Sequence, residues 1–312
     1  MHLSKHQLAI LAIILNTIIW SAASPIFKWA LTETPPFTLA FLRFFIATLI
    51  MFPFIYKKIK INFDDFYKIF ILSVVGITGN ISFFYLGLSL AQSINVPIMA
   101  SIMPILLIIS SLIFLHEIPK PKQILGTLVS LIGVIIIVIR PADHLPLAGS
   151  LLGNGYLILS VISLVAYTIL LKRFKLPYSS STIVFWIFLI GTITFFPLFV
   201  NEAKSTNILV ALDFKGSFGV LYGAIFSSML GYYFYNYAVK YLKADEIGIF
   251  TYLEPVATAM VALPLLHEQI TFYYLIGSFF VFLGLFIAEL KLRYHPFHHL
   301  KETTDPWLES GP

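Results

Sequence analysis

The chain has no cysteine, which removes disulfides, thiolate metal sites and cysteine nucleophiles together. Charge is scarce as well: 11% of its 312 residues are Asp, Glu, Lys or Arg, against about 25% in an ordinary soluble domain. No Gly-x-x-x-x-Gly-Lys phosphate loop, no Gly-x-Ser-x-Gly elbow and no His-Glu-x-x-His helix occurs. These absences disfavour an ATP-driven pump, a serine hydrolase and a zinc peptidase. Apolar residues make up 59% of the chain and the mean hydropathy is +0.91. So few polar side chains cannot cover a globule of this size, so much of the surface must meet lipid. The chain reads as an integral membrane protein.

A helix needs about 20 apolar residues to cross about 30 Å of hydrocarbon. Ten such runs occur, at about 8–31, 37–56, 69–91, 95–116, 122–140, 151–172, 180–200, 217–240, 246–266 and 270–291. They are continuous, unlike the alternating strands of a membrane barrel, so the predicted class is an all-α membrane protein of ten transmembrane helices. The net charge of +5 is then first a matter of topology. Counting connections alternately, one side carries Lys5, Lys57, Lys58, Lys60, Lys68, Lys120 and Lys122 in the first half. It continues with Lys172, Arg173, Lys175, Lys240, Lys243, Lys291, Arg293 and Lys301. The other side carries Arg140, Lys204 and Lys215. That bias predicts cytoplasmic termini and an even number of spans, and leaves no reason to invoke nucleic acid. Lys5, the first apolar run and Ser21-Ala22-Ala23 resemble a cleavable leader. The run is long for one, however, and it has a counterpart in the second half.

An offset of 151 aligns Pro104 with Pro255, His116-Glu117 with His267-Glu268, Gly126 with Gly277 and Gly133 with Gly284. Near the start of each half the offset is 144, which pairs Lys28 with Lys172 and Asn16 with Ser160. The expected organisation is a five-helix repeat over 1–145, a second over 146–292, and a tail over 293–312. Because five is odd, the second copy is expected to sit inverted, an arrangement common in secondary transporters with a site near the membrane midplane.

With these residues in hand, the sequence resembles the drug/metabolite transporter superfamily, specifically its ten-helix EamA-type exporters. The resemblance is carried by Trp20, Lys28, Leu42-Arg43-Phe44, Pro104, Leu115-His116-Glu117, Gln123, Gly126 and Gly133. The second copy carries it again in Glu254-Pro255, Leu266-His267-Glu268, Gly277 and Gly284. It spans about residues 8 to 292 and implies export of amino acids, other metabolites or toxic compounds across a bacterial plasma membrane. Position 116 departs from the pattern, holding His where Gly is common, and Ile187 stands in the second copy where the first has Arg43.

The embedded polar residues supply the candidate site. Glu254 lies mid-span, where an ionised carboxylate costs at least about 2.5–3.5 kcal/mol, so it is expected to face a polar interior and to couple protons or bind a cation. Glu246, Phe250 and Thr258 share its helical stripe, and Pro255 weakens the helix beside it. Arg43 is expected to hold a substrate carboxylate or to pair with Glu254. Asn16, Trp20, Ser24 and Lys28 form a polar stripe on the first span, with Trp20 a candidate cavity wall and Lys28 expected to snorkel outward. Asn80 in the third span and Tyr232, Tyr235 and Asn236 in the tyrosine-rich eighth are candidate substrate contacts, as is Tyr167 in the sixth. The glycines of the fifth and tenth spans read as packing, in a scaffold or a homodimer face. The His-Glu pairs are expected to tie a helix end to the next helix, and the tail's His295, His298 and His299 to be solvated.

The reading that fits is a secondary transporter exporting small organic solutes by alternating access, with no cofactor and with lipid and a small-molecule substrate as partners. The cavity is expected between the halves, lined by the first, third, sixth, eighth and ninth spans with help from the second and fourth. An uncoupled uniporter or channel is the alternative. An intramembrane enzyme is remote, because the spans contain no Asp and no His apart from His116 at the end of the fourth.

Overall fold

A computed structural model describes residues 4–103, 106, 109–110, 121–139, 147–242, 247 and 254–289. Among the described residues there is no strand. Helices satisfy their own backbone in hydrocarbon, which is what so apolar a chain requires. In chain order the segments are α1 (Lys5–Ala30), α2 (Pro36–Ile55), α3 (Phe63–Leu90) and α4 (Asn95–Ala100). Then come α5 (Pro121–Ile139), α6 (Leu147–Phe174), α7 (Ser180–Ala203), α8 (214–241), α9 (Glu254–Leu266) and α10 (Phe272–Glu289).

Five of these, α1, α2 with its 3₁₀ extension to Lys58, α3, α6 and α7, are long and apolar enough to cross a bilayer. Shorter apolar helices occupy Ile124–Ile137, Glu254–Leu266 and Phe272–Gly284. The tyrosine run at 232–237 makes α8 less hydropathic than the five. Pro104, the first His-Glu pair, Glu246 and Phe250 lie outside the described residues.

Local chemistry sets the helix ends. Ser4 and Gln7 form a reciprocal capping box at the start of α1, with bonds of 3.2 and 2.9 Å. Pro36 opens α2, where a missing N–H loses nothing. The next free amides, Phe37 and Thr38, donate to the Glu202 carboxylate at the end of α7, at 3.1 and 2.7 Å. Asp213 caps α8 through Gly216 N at 2.8 Å.

Two helix pairs frame the molecule. The α2–α7 seam is aromatic, with Phe41 stacked on Phe199 at 4.5 Å and Phe44 against Phe188 at 5.1 Å. The α5–α10 seam is built on glycine: a Cβ on Gly133 would meet the Gly277 carbonyl, and one on Gly284 the Gly126 carbonyl. That closeness lets Ser130 donate to the Val281 carbonyl at 3.0 Å.

The repeat is visible beyond the sequence. In α3, Val74–Gly79 is π-helical, and in α8 so is Gly223–Tyr232. Shifted by 151, the first falls at 225–230, inside the second. Lys28 and Lys172 repeat as well. Lys28 Nζ donates to the Leu88 carbonyl at 2.9 Å and to the Ala91 carbonyl, closing the C-terminus of α3. Lys172 Nζ donates to the Val239 and Leu242 carbonyls at 3.0 and 2.9 Å, closing that of α8. Lys28 therefore caps a helix rather than snorkelling: orphan carbonyls within reach are a better partner for a half-buried ammonium than the interface.

Candidate functional site

Between the repeats lies a cavity of about 130 Å³. A single water needs about 10–15 Å³ by this measure, so the space suits a small organic group. Its lining comes from α1, α2, α3, α4, α6, α8 and α9 with Met103 and Ile247; none of the described lining residues is on α5, α7 or α10. Much of the lining is paired by the repeat. At the offset of 144, Ile13, Asn16, Thr17 and Trp20 correspond to Leu157, Ser160, Val161 and Leu164, and all eight line the cavity. At 151, Ile81, Phe84, Val96 and Met103 correspond to Tyr232, Tyr235, Ile247 and Glu254, again all lining it. Equivalent helix faces of the two repeats enclose one space.

Arg43 is 1% exposed and bonded along its edge. Its Nε donates to Ser228 Oγ at 2.8 Å, Nη1 to the Tyr85 hydroxyl at 2.7 Å and Nη2 to Ser227 Oγ at 3.3 Å. The Phe27 and Phe44 rings lie 4.8 and 4.7 Å from the guanidinium carbon. Three neutral acceptors and two π faces hold the cation rigidly without neutralising it. No ion pair joins Arg43 to Glu254 among the described residues, so the pairing expected for them is absent. Ser227, Ser228 and Tyr85 escape a sequence reading. The available signal was that Ser227-Ser228 replaces the Gly76-Ile77 of the first repeat.

Two amides staple the repeats beside the π-helical stretches. Asn16 Nδ2 donates to the Gly231 carbonyl at 3.0 Å, and Asn80 Nδ2 to the Ser160 carbonyl and hydroxyl at 2.8 and 2.9 Å. Since Asn16 corresponds to Ser160 and Asn80 to Gly231, this is one interaction built twice, with the asparagine on opposite members. Trp20 Nε1 donates to the Ser227 carbonyl at 3.1 Å, while its ring stacks on Tyr235 at 5.2 Å and meets Tyr232 edge-on at 5.3 Å. Tyr235 and Thr168 share a hydroxyl bond of 2.7 Å, and Tyr232 donates weakly to the Gly76 carbonyl at 3.4 Å. π-Helical turns displace carbonyls from the regular ladder, and these side chains meet several of them.

Trp20, Arg43, Asn80, Tyr232, Tyr235 and Glu254 thus line the cavity. Tyr167 and Asn236 do not. They bond to each other at 2.7 Å behind the wall, because Tyr167 fills the gap left by Gly76 on α3. Glu254, at the start of the described part of α9, carries no hydrogen bond or ion pair among the described residues. One turn on, Thr258 donates to the Ser21 carbonyl of α1 at 3.1 Å. Glu268 of the second His-Glu pair lies away from the cavity and binds the start of α4, in the other repeat, rather than the helix that follows it. Among the described residues no cluster of three or more His, Asp or Glu is placed to hold a metal.

Two stretches, residues 7–139 and 151–290, match the model of the EamA-like transporter family. A relative in Archaeoglobus fulgidus named an uncharacterized transporter is 24% identical over 284 residues, covering 90% of this chain and 97% of its own. The uncharacterized transporter YetK of Bacillus subtilis is 29% identical over 275 residues, covering 85% of this chain and 82% of its own. A WAT1-related protein of Arabidopsis thaliana is 24% identical over 305 residues, with coverages of 86% and 80%. A protein crystal structure aligns with a TM-score of 0.61 at 17% identity, covering 92% of this chain and 96% of that one, a likeness of fold alone.

Proposed function

The chain belongs to the EamA-like transporter family, and from that premise we propose that it exports a small, partly apolar organic solute through the cavity between its repeats, as a secondary transporter working by alternating access. It is a multi-pass membrane transporter and not an enzyme. The observation that carries the proposal is the cavity itself, which both repeats line at equivalent positions and which holds one fixed cation and one carboxylate without a partner among the described residues.

Each group has a task in this reading. Trp20, Tyr232 and Tyr235 take the apolar body of the solute, since they offer ring faces already held by hydrogen bonds. Arg43, held in place by its three bonds, attracts an acidic oxygen of the solute. Glu254 is the group free to change partner: a proton or a cationic group of the solute occupies its carboxylate in turn, which couples flux to a gradient. Movement comes from rocking of the repeats, with the π-helical stretches of α3 and α8 and the prolines at 25 and 255 as compliant points.

Inverted repeats and cytoplasmic termini are part of the proposal. They are supported by the contacts between connections, each of which joins two segments that the basic-residue bias puts on one side. Glu202 meets the start of α2 on the outer side, whereas Tyr178 donates to Asp65 at 2.8 Å and Trp186 to the Ile59 carbonyl at 2.9 Å on the inner side. The membrane in this reading is the bacterial plasma membrane.

The test is flux in proteoliposomes against a panel of labelled metabolites, with and without a pH gradient, for the wild-type protein and Glu254→Gln. The expected result is accelerated flux of one solute class under the gradient, with acceleration lost in the variant. A variant whose rate and pH dependence match the wild type would rule out coupling through Glu254.

A further inference from the structure

The short turn between α3 and α4 is held from two bodies at once. Its first end belongs to the first repeat, where Lys28 of α1 closes the C-terminus of α3 through the Leu88 and Ala91 carbonyls. Its second end is held by the second repeat. Glu268, in the turn between α9 and α10, accepts from Ser93 N at 2.7 Å, Ile94 N at 3.0 Å and Ser93 Oγ at 3.0 Å. Tyr274 of α10 donates to the Ile94 carbonyl at 3.3 Å, and Asn95 donates to Asn154 of α6 at 3.1 Å. Among the described residues, the hydrogen bonds that leave residues 93–95 for other segments cross to the second repeat.

Three features make this more than a helix cap. A carboxylate accepting two backbone amides and a hydroxyl at a helix N-terminus is a strong, charge-assisted clamp in a nearly dry place, with Ser93 fully buried. The residue before it, His267, sits at φ 51°, in the left-handed region that His enters more readily than most side chains, and so ends α9 in a tight turn that presents the carboxylate. And the helix clamped is α4, whose Val96 and Ala100 form part of the cavity wall.

We propose that Glu268 is the latch of the outer gate: its carboxylate holds the start of α4 against the α9–α10 turn, and release of those three bonds lets α4 move and opens the cavity to the outer side. Glu268 is a positioning residue, acting on the solute only through α4. The proposal rests on the transporter reading and on the topology given above.

The absence of native cysteine makes the test direct. Ala100→Cys places a thiol in the cavity wall, and its labelling by a membrane-impermeant maleimide is timed in right-side-out and in inside-out vesicles, with and without Glu268→Gln. Loss of a charge-assisted clamp predicts outside labelling faster by about tenfold, with inside labelling slowed or unchanged. Equal outside rates, or equal acceleration from both sides, would overturn the latch. Should Glu268→Gln fail to fold, Ser93→Ala and Tyr274→Phe each remove one bond of the same junction. Each is then expected to raise outside labelling about twofold, and no rise in either overturns the proposal. Labelling needs no solute, so the outcomes separate. Faster labelling without any solute flux sinks the transporter reading alone, whereas normal flux with unchanged labelling sinks the latch alone.

Discussion

Where the first repeat brings Ile81, Phe84 and Met103 to the cavity, the second brings Tyr232, Tyr235 and Glu254, and where the first has Arg43 the second has Ile187. Yet the two repeats share their frame in detail: a π-helical stretch, a lysine closing the same helix end, and an amide reaching across beside it. The shared features make their bonds largely to backbone carbonyls, which any sequence supplies, so they survive divergence of the side chains around them. The differing ones are side chains that line the space between. In the proposed function, departure from the repeat, more than polarity alone, marks the residues given to solute chemistry.

Exchanging residues between the repeats tests that distinction. Arg43→Ile, which gives the first repeat the residue of the second, should have the largest effect. It leaves the hydroxyls of Ser227, Ser228 and Tyr85 without their buried donor, at about 1–3 kcal/mol for each group left unsatisfied. Flux per folded protein should fall roughly a hundredfold, measured beside the melting temperature in detergent. A change in the frame should act differently. Gly133→Ala pushes a methyl into the Gly277 carbonyl, and overpacking of this kind costs about 1–3 kcal/mol. Its melting temperature should drop while the solute KM of the surviving protein stays the same; a shifted KM would join frame to site. Smallest is Tyr235→Phe, which gives the second repeat the Phe84 of the first. The ring keeps its stack on Trp20 and loses only the bond to Thr168, so a change in KM of several-fold, about 0.5–1.5 kcal/mol, is expected.

The residues differ in how far their roles could be read from sequence. Hydropathy exposes spans because a bilayer imposes one length on every helix, and the offsets expose the repeat because glycines at a close helix crossing tolerate little change. Arg43 and Glu254 stand out because charge inside a membrane is rare. The π-helical stretches leave no such mark: Val-Val-Gly-Ile-Thr-Gly reads as any apolar helix, and only the packing of α3 against its neighbours shows the extra residue per turn. Tyr167 and Asn236 sit on tyrosine-rich or polar stripes like the cavity residues, but which stripe faces the cavity depends on the rotation of a whole helix. Glu268 shows the same limit over a longer range. Its position at a span end is legible, whereas its partners, Ser93 and Ile94, lie 175 and 174 residues away.

The cavity's identity as the solute path can be tested by blocking it. Met103, the repeat counterpart of Glu254, lines the cavity, and Phe279 on α10 lies 62% exposed on the outer surface of the bundle. Single-cysteine variants at the two positions, reacted to completion with one bulky membrane-permeant maleimide, carry the same adduct in two places. Labelled Met103→Cys should lose solute flux while labelled Phe279→Cys keeps it; flux through labelled Met103→Cys at the unlabelled rate would contradict a path through this cavity.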